Sequence, residues 1–133
     1  MIAAPAEEEQ PIVLVADDDA GVRALVRIVL RRAGYTVLEA RTGREALDTV
    51  RGRGEVLDAV LLDVMMPEMN GHEALPELRR ARPDLPVVFF SGFDVNEVAE
   101  HLASPGAYTA FVPKPFENDE LVAEVRRAVE HGG

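Results

Sequence analysis

The chain of 133 residues carries 24 acidic and 14 basic side chains, a net charge of −10, and 47% apolar residues, which suits one domain with a single core. The negative charge opposes direct binding to nucleic-acid phosphates and favours cations or basic protein surfaces as partners. The sequence contains no cysteine, which excludes disulfides and cysteine zinc sites, and no apolar run is long enough to insert into a membrane.

Short apolar runs of strand length alternate along the chain with stretches of helical periodicity. In chain order, the predicted elements are a strand at 12–16, a helix at 20–34, a strand at 35–40, a helix at 42–52, a strand at 57–63, a helix near 72–82, a strand at 87–91, a helix at about 94–103, a strand at 108–113 and a helix at 118–131. Five strand–helix units predict a parallel sheet with helices on both faces, a doubly wound α/β domain. This domain is predicted to span residues 11–131, after a disordered acidic lead or linker at 1–10.

Local signals predict where several helices begin. Thr42 and Glu45 have the spacing of a capping box, and Asn118 is the predicted cap of the last helix. Pro76 falls inside a predicted helix, where it removes a backbone donor and clashes with the preceding turn. We expect a kink or a loosened first turn there, and the alternative is that the helix begins at Pro76.

Polar residues follow the predicted strands, at the edge where ligands bind in open α/β sheets. They are Asp17, Asp18 and Asp19, then Asp63, then Ser91, and finally Lys114. Two carboxylates 4 Å apart repel by roughly 4 kcal/mol at an effective dielectric of about 20, so this crowding favours a hard divalent cation. Mg²⁺ is the expected ion, with Mn²⁺ as a substitute.

The same edge predicts phosphoryl chemistry. Asp63 stands alone after its strand and is a candidate nucleophile towards a phosphoryl group. Lys114 would place a compact positive charge on the phosphoryl oxygens, and Ser91 would donate a hydrogen bond. Asp19 is expected to cap the first helix rather than to bind metal.

Four stretches carry a family resemblance: VLVADDDAGVR, VLLDVMMPEMNG, VVFFSG and FVPKPF. In this order and spacing, the sequence resembles the receiver domain of two-component response regulators over residues 11 to about 131. The resemblance implies a flavodoxin-like (βα)5 fold with a five-stranded parallel sheet in the order 2-1-3-4-5. It also implies that Asp63 is the phosphoacceptor. Mg²⁺ would contact Asp18 and Asp63 directly, Asp17 mainly through water, and the backbone carbonyl of Met65 as a third protein ligand.

The resemblance also implies a conformational switch. Ser91 occupies the family's Ser/Thr switch position, Lys114 its lysine position, and the Lys114–Pro115 peptide bond is expected to be cis. Phe111 matches the switch aromatic, and as Phe it cannot form the hydrogen bond of a Tyr. Phosphorylation is expected to turn Phe111 inward and to reshape the surface built from the fourth helix, the fifth strand and the last helix.

The function implied is a cytoplasmic phosphorelay receiver rather than a turnover enzyme. Its expected phosphodonor is a histidine kinase or a histidine phosphotransfer protein that docks around Gly21, Val22 and Leu25. We expect a downstream protein partner, no direct nucleic-acid contact, no membrane insertion, and a monomer or weak phosphorylation-dependent dimer. Since the chain ends with the predicted last helix, a stand-alone regulator and a receiver from a hybrid histidine kinase both stay open.

Two other classes share parts of this pattern. Haloacid-dehalogenase-type phosphatases use a strand-end Asp, Mg²⁺, a Ser/Thr and a Lys, and Asp17 and Asp19 form an Asp-x-Asp pattern. However, Ala20 stands where that family has Thr or Val, and no acidic pair follows Lys114. A flavin-binding electron carrier would need a phosphate loop rich in Ser, Thr and Gly after the first strand, which this sequence lacks.

Overall fold

The computed structural model describes residues 10–66, 68–91 and 108–132, without the side chains of His72 and Ser91. The strands are β1 (Ile12–Ala16), β2 (Thr36–Ala40), β3 (Ala59–Asp63), β4 (Val87–Ser91) and β5 (Thr109–Pro113). The helices are α1 (Ala20–Arg32), α2 (Gly43–Arg53), α3 (Gly71–Ala81) and the C-terminal helix (Asn118–Gly132), with a short 3-10 turn at Gly54–Val56. Residues 1–9 of the predicted lead and the predicted helix at 94–103 lie outside the described residues.

All neighbouring strands pair in parallel, in the order β2-β1-β3-β4-β5. Alternate strand residues enter two apolar clusters, one on each face of the sheet: Leu14 and Val60 lie in the first, and Val13 and Leu61 in the second. The first cluster packs against α2 and α3, and the second packs against α1 and the C-terminal helix. The predicted doubly wound fold and strand order are confirmed.

Two of the three predictions about helix starts need correction. The hydroxyl of Thr42 accepts the Glu45 amide at 3.0 Å, but the Glu45 carboxylate accepts the amide of Arg41 instead of that of Thr42. The predicted capping box is therefore only half formed. A complete capping box joins Asn70 and Glu73 at the start of α3. This box was not predicted from the sequence, although the spacing of the two residues fits the same rule.

The starts of α3 and of the C-terminal helix bear on the two remaining predictions about helix starts. Helix α3 runs from Gly71 to Ala81 with Pro76 inside it, so the alternative start at Pro76 is wrong. The C-terminal helix begins at Asn118 itself, so the predicted cap at that residue is wrong by one position. Within the described ranges, no helix combines the length and apolarity that a membrane span requires.

Candidate functional site

Four predicted site residues meet where β1, β3 and β5 end. Carboxylate oxygens of Asp17, Asp18 and Asp63 all lie within 4.8 Å of one another. The ammonium nitrogen of Lys114 lies 2.7 Å from Oδ2 of Asp17 and 3.5 Å from Oδ2 of Asp63. The parallel sheet brings these side chains together because the carboxyl ends of its strands share one edge.

Asp17 is an internal anchor of this site, and its side chain is only 1% exposed. Its amide donates to the Ala40 carbonyl at 3.1 Å, and its own carbonyl accepts from Arg23 at 2.7 Å. Its carboxylate accepts the Asp19 amide at 2.8 Å through one oxygen and Lys114 through the other. All the polar groups of Asp17 are therefore engaged by the protein, as expected for a buried charge.

The next two acids differ from Asp17 and from each other. Asp18 is exposed, and its carboxylate has no hydrogen-bond or ion-pair partner among the described residues. Asp19 caps α1, since its carboxylate accepts the amides of Gly21 at 2.8 Å and Val22 at 3.1 Å. Asp18 is thus available to a ligand, whereas Asp19 has the capping role that the sequence predicted. This arrangement gives the Asp-x-Asp phosphatase alternative no support.

Asp63 is the last residue of β3 and is almost completely buried. Its carboxylate accepts the amide of Met65 at 3.3 Å. The pKa of Asp63 is raised to about 6: burial is the largest cause, the negative charge of Asp17 also raises the pKa, and Lys114 and the Met65 amide partly offset both effects. A cation bound beside Asp63 would favour its ionised form for the same electrostatic reason.

Lys114 is the single lysine among the 14 basic residues of the chain. Its ammonium nitrogen lies over the ring of Phe90, 4.6 Å from the centroid, within the range of a cation–π contact. The Lys114–Pro115 peptide bond is cis, as the sequence predicted. The lysine is therefore held between two carboxylates and an aromatic face.

Two glycines that the sequence reasoning missed allow close packing at the end of β3 and in the loop that follows it. A Cβ atom at Gly71 would overlap the carbonyl oxygen of Asp63, and the Gly71 amide donates to Val64 at 2.7 Å. A Cβ atom at Gly43 would overlap the carbonyl of Met69 in the loop between β3 and α3. The signal for Gly71 was its place directly after the cap in the stretch MNG, where only a bare backbone fits.

The remaining predicted residues surround this centre. Ser91 ends β4 and pairs in register with Pro113, but its side chain lies outside the described residues. Phe111 is partly buried against the cluster on the α2 and α3 face. The Met65 side chain is exposed beside Asp63, and the predicted role of its carbonyl as a metal ligand stays a prediction.

The donor set fits a hard divalent cation. Three carboxylates supply oxygen ligands within one small region, one of them is unpartnered in the described part of the chain, and Asp63 is destabilised in its charged form. Oxygen ligands of this kind are those that Mg²⁺ and Mn²⁺ prefer.

This chain belongs to the response regulator receiver domain family, whose sequence profile matches residues 13–126. Over 90% of its length it is 40% identical to the sensor kinase CckA of Brucella abortus (strain 2308), covering 12% of that protein. Over 86% of its length it is 42% identical to the response regulator MprA of Mycolicibacterium vanbaalenii, covering 48% of that protein. The chain thus spans less than half the length of these curated relatives.

Solved structures agree with this membership. The chemotaxis protein CheY4 of Vibrio cholerae is similar with a TM-score of 0.80 and 30% identity, over 90% of this chain and 98% of that one. The receiver domain of the hybrid histidine kinase CckA is similar with a TM-score of 0.74 and 30% identity, over 89% of this chain and 98% of that one. The predicted receiver fold and two-component class are confirmed.

Proposed function

We propose that this receiver domain accepts a phosphoryl group on Asp63 from a phosphohistidine donor, with Mg²⁺ bound beside it. The observation that carries the proposal is the position of the Asp63 carboxylate. It lies at the end of β3, 3.5 Å from the Lys114 ammonium and within 4.8 Å of ligand oxygens on Asp17 and Asp18. A nucleophile, a fixed cation and metal ligands are the parts that phosphoryl transfer requires.

In the proposed step, a carboxylate oxygen of Asp63 forms a bond to phosphorus while the phosphorus–nitrogen bond of the donor breaks. The electron pair of that bond returns to the imidazole, whose other ring nitrogen carries a proton, so the ring leaves as neutral histidine and Asp63 becomes an acyl phosphate. Lys114 stabilises the negative charge on the phosphoryl oxygens, because it is already held beside Asp63.

The proposed metal ligands are Asp18 and Asp63 directly, Asp17 mainly through water, and the Met65 carbonyl. The unpartnered state of Asp18 and the full engagement of Asp17 support this division. The bound cation would neutralise phosphoryl oxygens and keep Asp63 ionised. Mn²⁺ would serve in place of Mg²⁺.

The proposed response involves Ser91 and Phe111. The Ser91 hydroxyl would move towards the phosphoryl oxygens, and Phe111 would turn further inward. Phe111 already packs against the core and borders a groove between β5 and the C-terminal helix, together with Glu120 and Arg127. A rotation of its ring would therefore change the surface of the fifth strand and the last helix.

The proposed phosphodonor is a histidine kinase or a histidine phosphotransfer protein that docks at the start of α1, around Gly21, Val22 and Leu25. Support comes from Leu25, which is 47% exposed although it lies on a helix whose neighbouring Val26 is buried. In this proposal the domain acts as a phosphoacceptor rather than a turnover enzyme. Its boundaries at 11–131, its cytoplasmic location and its downstream protein partner stay predictions.

Intact mass after incubation with acetyl phosphate and Mg²⁺ tests the proposal. A gain of one phosphoryl group, roughly 80 Da, is expected for the native chain and is expected to disappear in Asp63→Asn. The matched control is Asp48→Asn, which changes an exposed acid on α2 and should leave the gain intact.

Two results would contradict the proposal. An adduct that persists in Asp63→Asn would place the acceptor elsewhere. No adduct in the native chain, with metal binding demonstrated and a phosphorylated histidine donor also supplied, would mean that this edge does not accept phosphoryl groups.

A further inference from the structure

A group of three side chains outside the site reaches its backbone. Arg23 and Arg27 lie one helical turn apart on α1, and both bind the Glu39 carboxylate near the end of β2, at 3.3 and 2.7 Å respectively. Arg23 alone also donates to the carbonyl oxygen of Asp17, at 2.7 Å. The two arginines thus share one partner but differ in their contact with the acidic loop.

The contact of Arg23 lies on the backbone directly before Asp18. The Asp17 carbonyl belongs to the peptide that links Asp17 to Asp18, so Arg23 restrains the backbone from which Asp18 projects. The Arg23 side chain is only 13% exposed, whereas that of Arg27 is 32% exposed. Glu39 in turn lies in register with Val15 on the adjacent strand, and this pairing fixes the distance between β2 and the loop.

We propose that Arg23 is a positioning residue for the metal site: held by Glu39, it fixes the Asp17–Asp18 peptide so that the Asp18 carboxylate faces the cation. This inference rests on the proposed function and assigns it a residue outside the acidic cluster. Asp18 needs such a restraint because its own carboxylate has no partner in the described part of the chain. Each restraint placed on the peptide reduces the conformations that metal binding must exclude.

The direction of the change in Mg²⁺ affinity distinguishes a positioning role of Arg23 from a purely electrostatic one. Arg23 is a cation close to the proposed Mg²⁺ site, so removal of its charge alone would strengthen Mg²⁺ binding. Removal of a positioning contact would weaken binding, because the Asp18 carboxylate would be less often in place. Arg27→Met is the matched control, because it removes a cation from the same Glu39 carboxylate without touching Asp17.

The experiment measures the Mg²⁺ affinity of the native chain and of three variants: Arg23→Met, Arg23→Lys and Arg27→Met. In the native chain and the two Met variants, biosynthetic labelling with lysine carrying ¹³C at the ε-carbon gives one NMR signal, since Lys114 is the single lysine. Arg23→Lys adds a second lysine, so the Lys114 signal of that variant is identified by comparison with the native spectrum. That signal reports directly on the site, and titration with MgCl₂ alone gives the dissociation constant. Urea unfolding of each variant measures any general loss of stability.

We expect Arg23→Met to weaken Mg²⁺ binding about three- to tenfold, which is less than the full value of a hydrogen bond from a charged group, because the contact acts on the metal only through the peptide. Arg23→Lys should recover part of the loss, and Arg27→Met should bind Mg²⁺ as well as or better than the native chain. The rate of phosphorylation by acetyl phosphate at low Mg²⁺ should fall in parallel and recover at saturating Mg²⁺.

The positioning role is overturned if Arg23→Met binds Mg²⁺ as tightly as the native chain, or if Arg27→Met weakens binding equally. Those results leave the phosphoacceptor proposal intact, provided that the native chain binds Mg²⁺ and gains a phosphoryl group. A native chain that shows neither response overturns both proposals. The two failures are therefore distinguishable.

Discussion

The two ends of the parallel sheet use charged side chains in opposite ways. At the amino ends of the strands, the guanidinium of Arg79 donates to the carbonyls of Leu85 and Tyr108, the latter at 3.2 Å, and to the Thr109 hydroxyl at 2.7 Å. At the carboxyl ends, Asp18 has no partner among the described residues. The contacts of Arg79 are all internal, whereas at the carboxyl ends the Asp18 carboxylate is available for a ligand beside the paired Asp17 and Lys114.

A second arginine repeats the pattern at the amino ends. Arg82 donates to the carbonyls of Gly54 and Leu57, just before β3 begins, and pairs with Asp84 at 3.2 Å. These contacts join the ends of α2 and α3 to the start of the central strand. The Gly54 carbonyl also accepts the Leu57 amide at 3.2 Å, so Arg82 adds a second donor there.

The comparison teaches where stability and function reside in this domain. Internal contacts of the arginines lower the free energy of the folded chain, whereas crowded carboxylates raise it until a cation binds. The pKa of Asp63 is raised to about 6, mainly by burial and further by the negative charge of Asp17, so the charged form is disfavoured in the metal-free fold. We therefore expect substitutions at the amino ends to change stability alone, and substitutions at the carboxyl ends to change ligand binding first.

Arg79→Met gives the largest expected change in stability. It removes the donors to Leu85, Tyr108 and Thr109 from a partly buried position, so we expect unfolding to cost about 3 kcal/mol less. Urea unfolding measures this change, with Arg80→Met as the control because Arg80 is exposed. Mg²⁺ affinity should stay within about twofold, and a larger change would break the division between the two ends.

Asp18→Asn should have the opposite profile. Loss of a carboxylate ligand is expected to weaken Mg²⁺ binding roughly tenfold or more, while the stability of the metal-free protein changes by less than about 0.5 kcal/mol. Titration of the Lys114 signal measures the affinity, and Asp48→Asn is again the matched control. Unchanged affinity would remove Asp18 from the metal site.

Asp63→Asn should stabilise the metal-free protein above pH 6. The folded-state pKa of Asp63 lies above the ordinary value of 3.8, so the folded chain binds the carboxyl proton more tightly than the unfolded chain does. Protonation of Asp63 therefore stabilises the fold at low pH, and this stabilisation is lost as the pH rises through about 6. The variant avoids that loss, so we expect it to be more stable at pH 8 by about 1 to 2 kcal/mol.

The same comparison at pH 4.5 provides the check, because Asp63 is then mostly protonated in the folded chain and resembles Asn. Urea unfolding with a chelator should show a smaller difference there than at pH 8. An equal or larger difference at pH 4.5 would mean that the charge of Asp63 is not the source of the strain. Added Mg²⁺ should stabilise the native chain more than the variant, by mass action.

The membership of the site could be predicted from the sequence because it depends on chain order. An apolar run such as 12–16 predicts a buried strand, and the polar residues that follow such runs must meet at one edge of a parallel sheet. Asp17, Asp18, Asp63 and Lys114 were found in this way. The predictions of the helix ends were less accurate, since the Glu45 carboxylate had two neighbouring amides within reach and accepted that of Arg41.

Only the tertiary structure decided the contacts between segments that lie far apart in the sequence. Arg23 reaches the Asp17 carbonyl because Glu39, on a different strand, holds its guanidinium. Gly71 is required because α3 packs directly onto the end of β3. By itself, the sequence determined the strands and the residues at the carboxyl edge, because periodicity and chain direction are local properties, whereas the strand order was implied by the family resemblance. Burial, backbone approach and the raised pKa of Asp63 depend on the folded neighbours of each group, which local patterns do not encode.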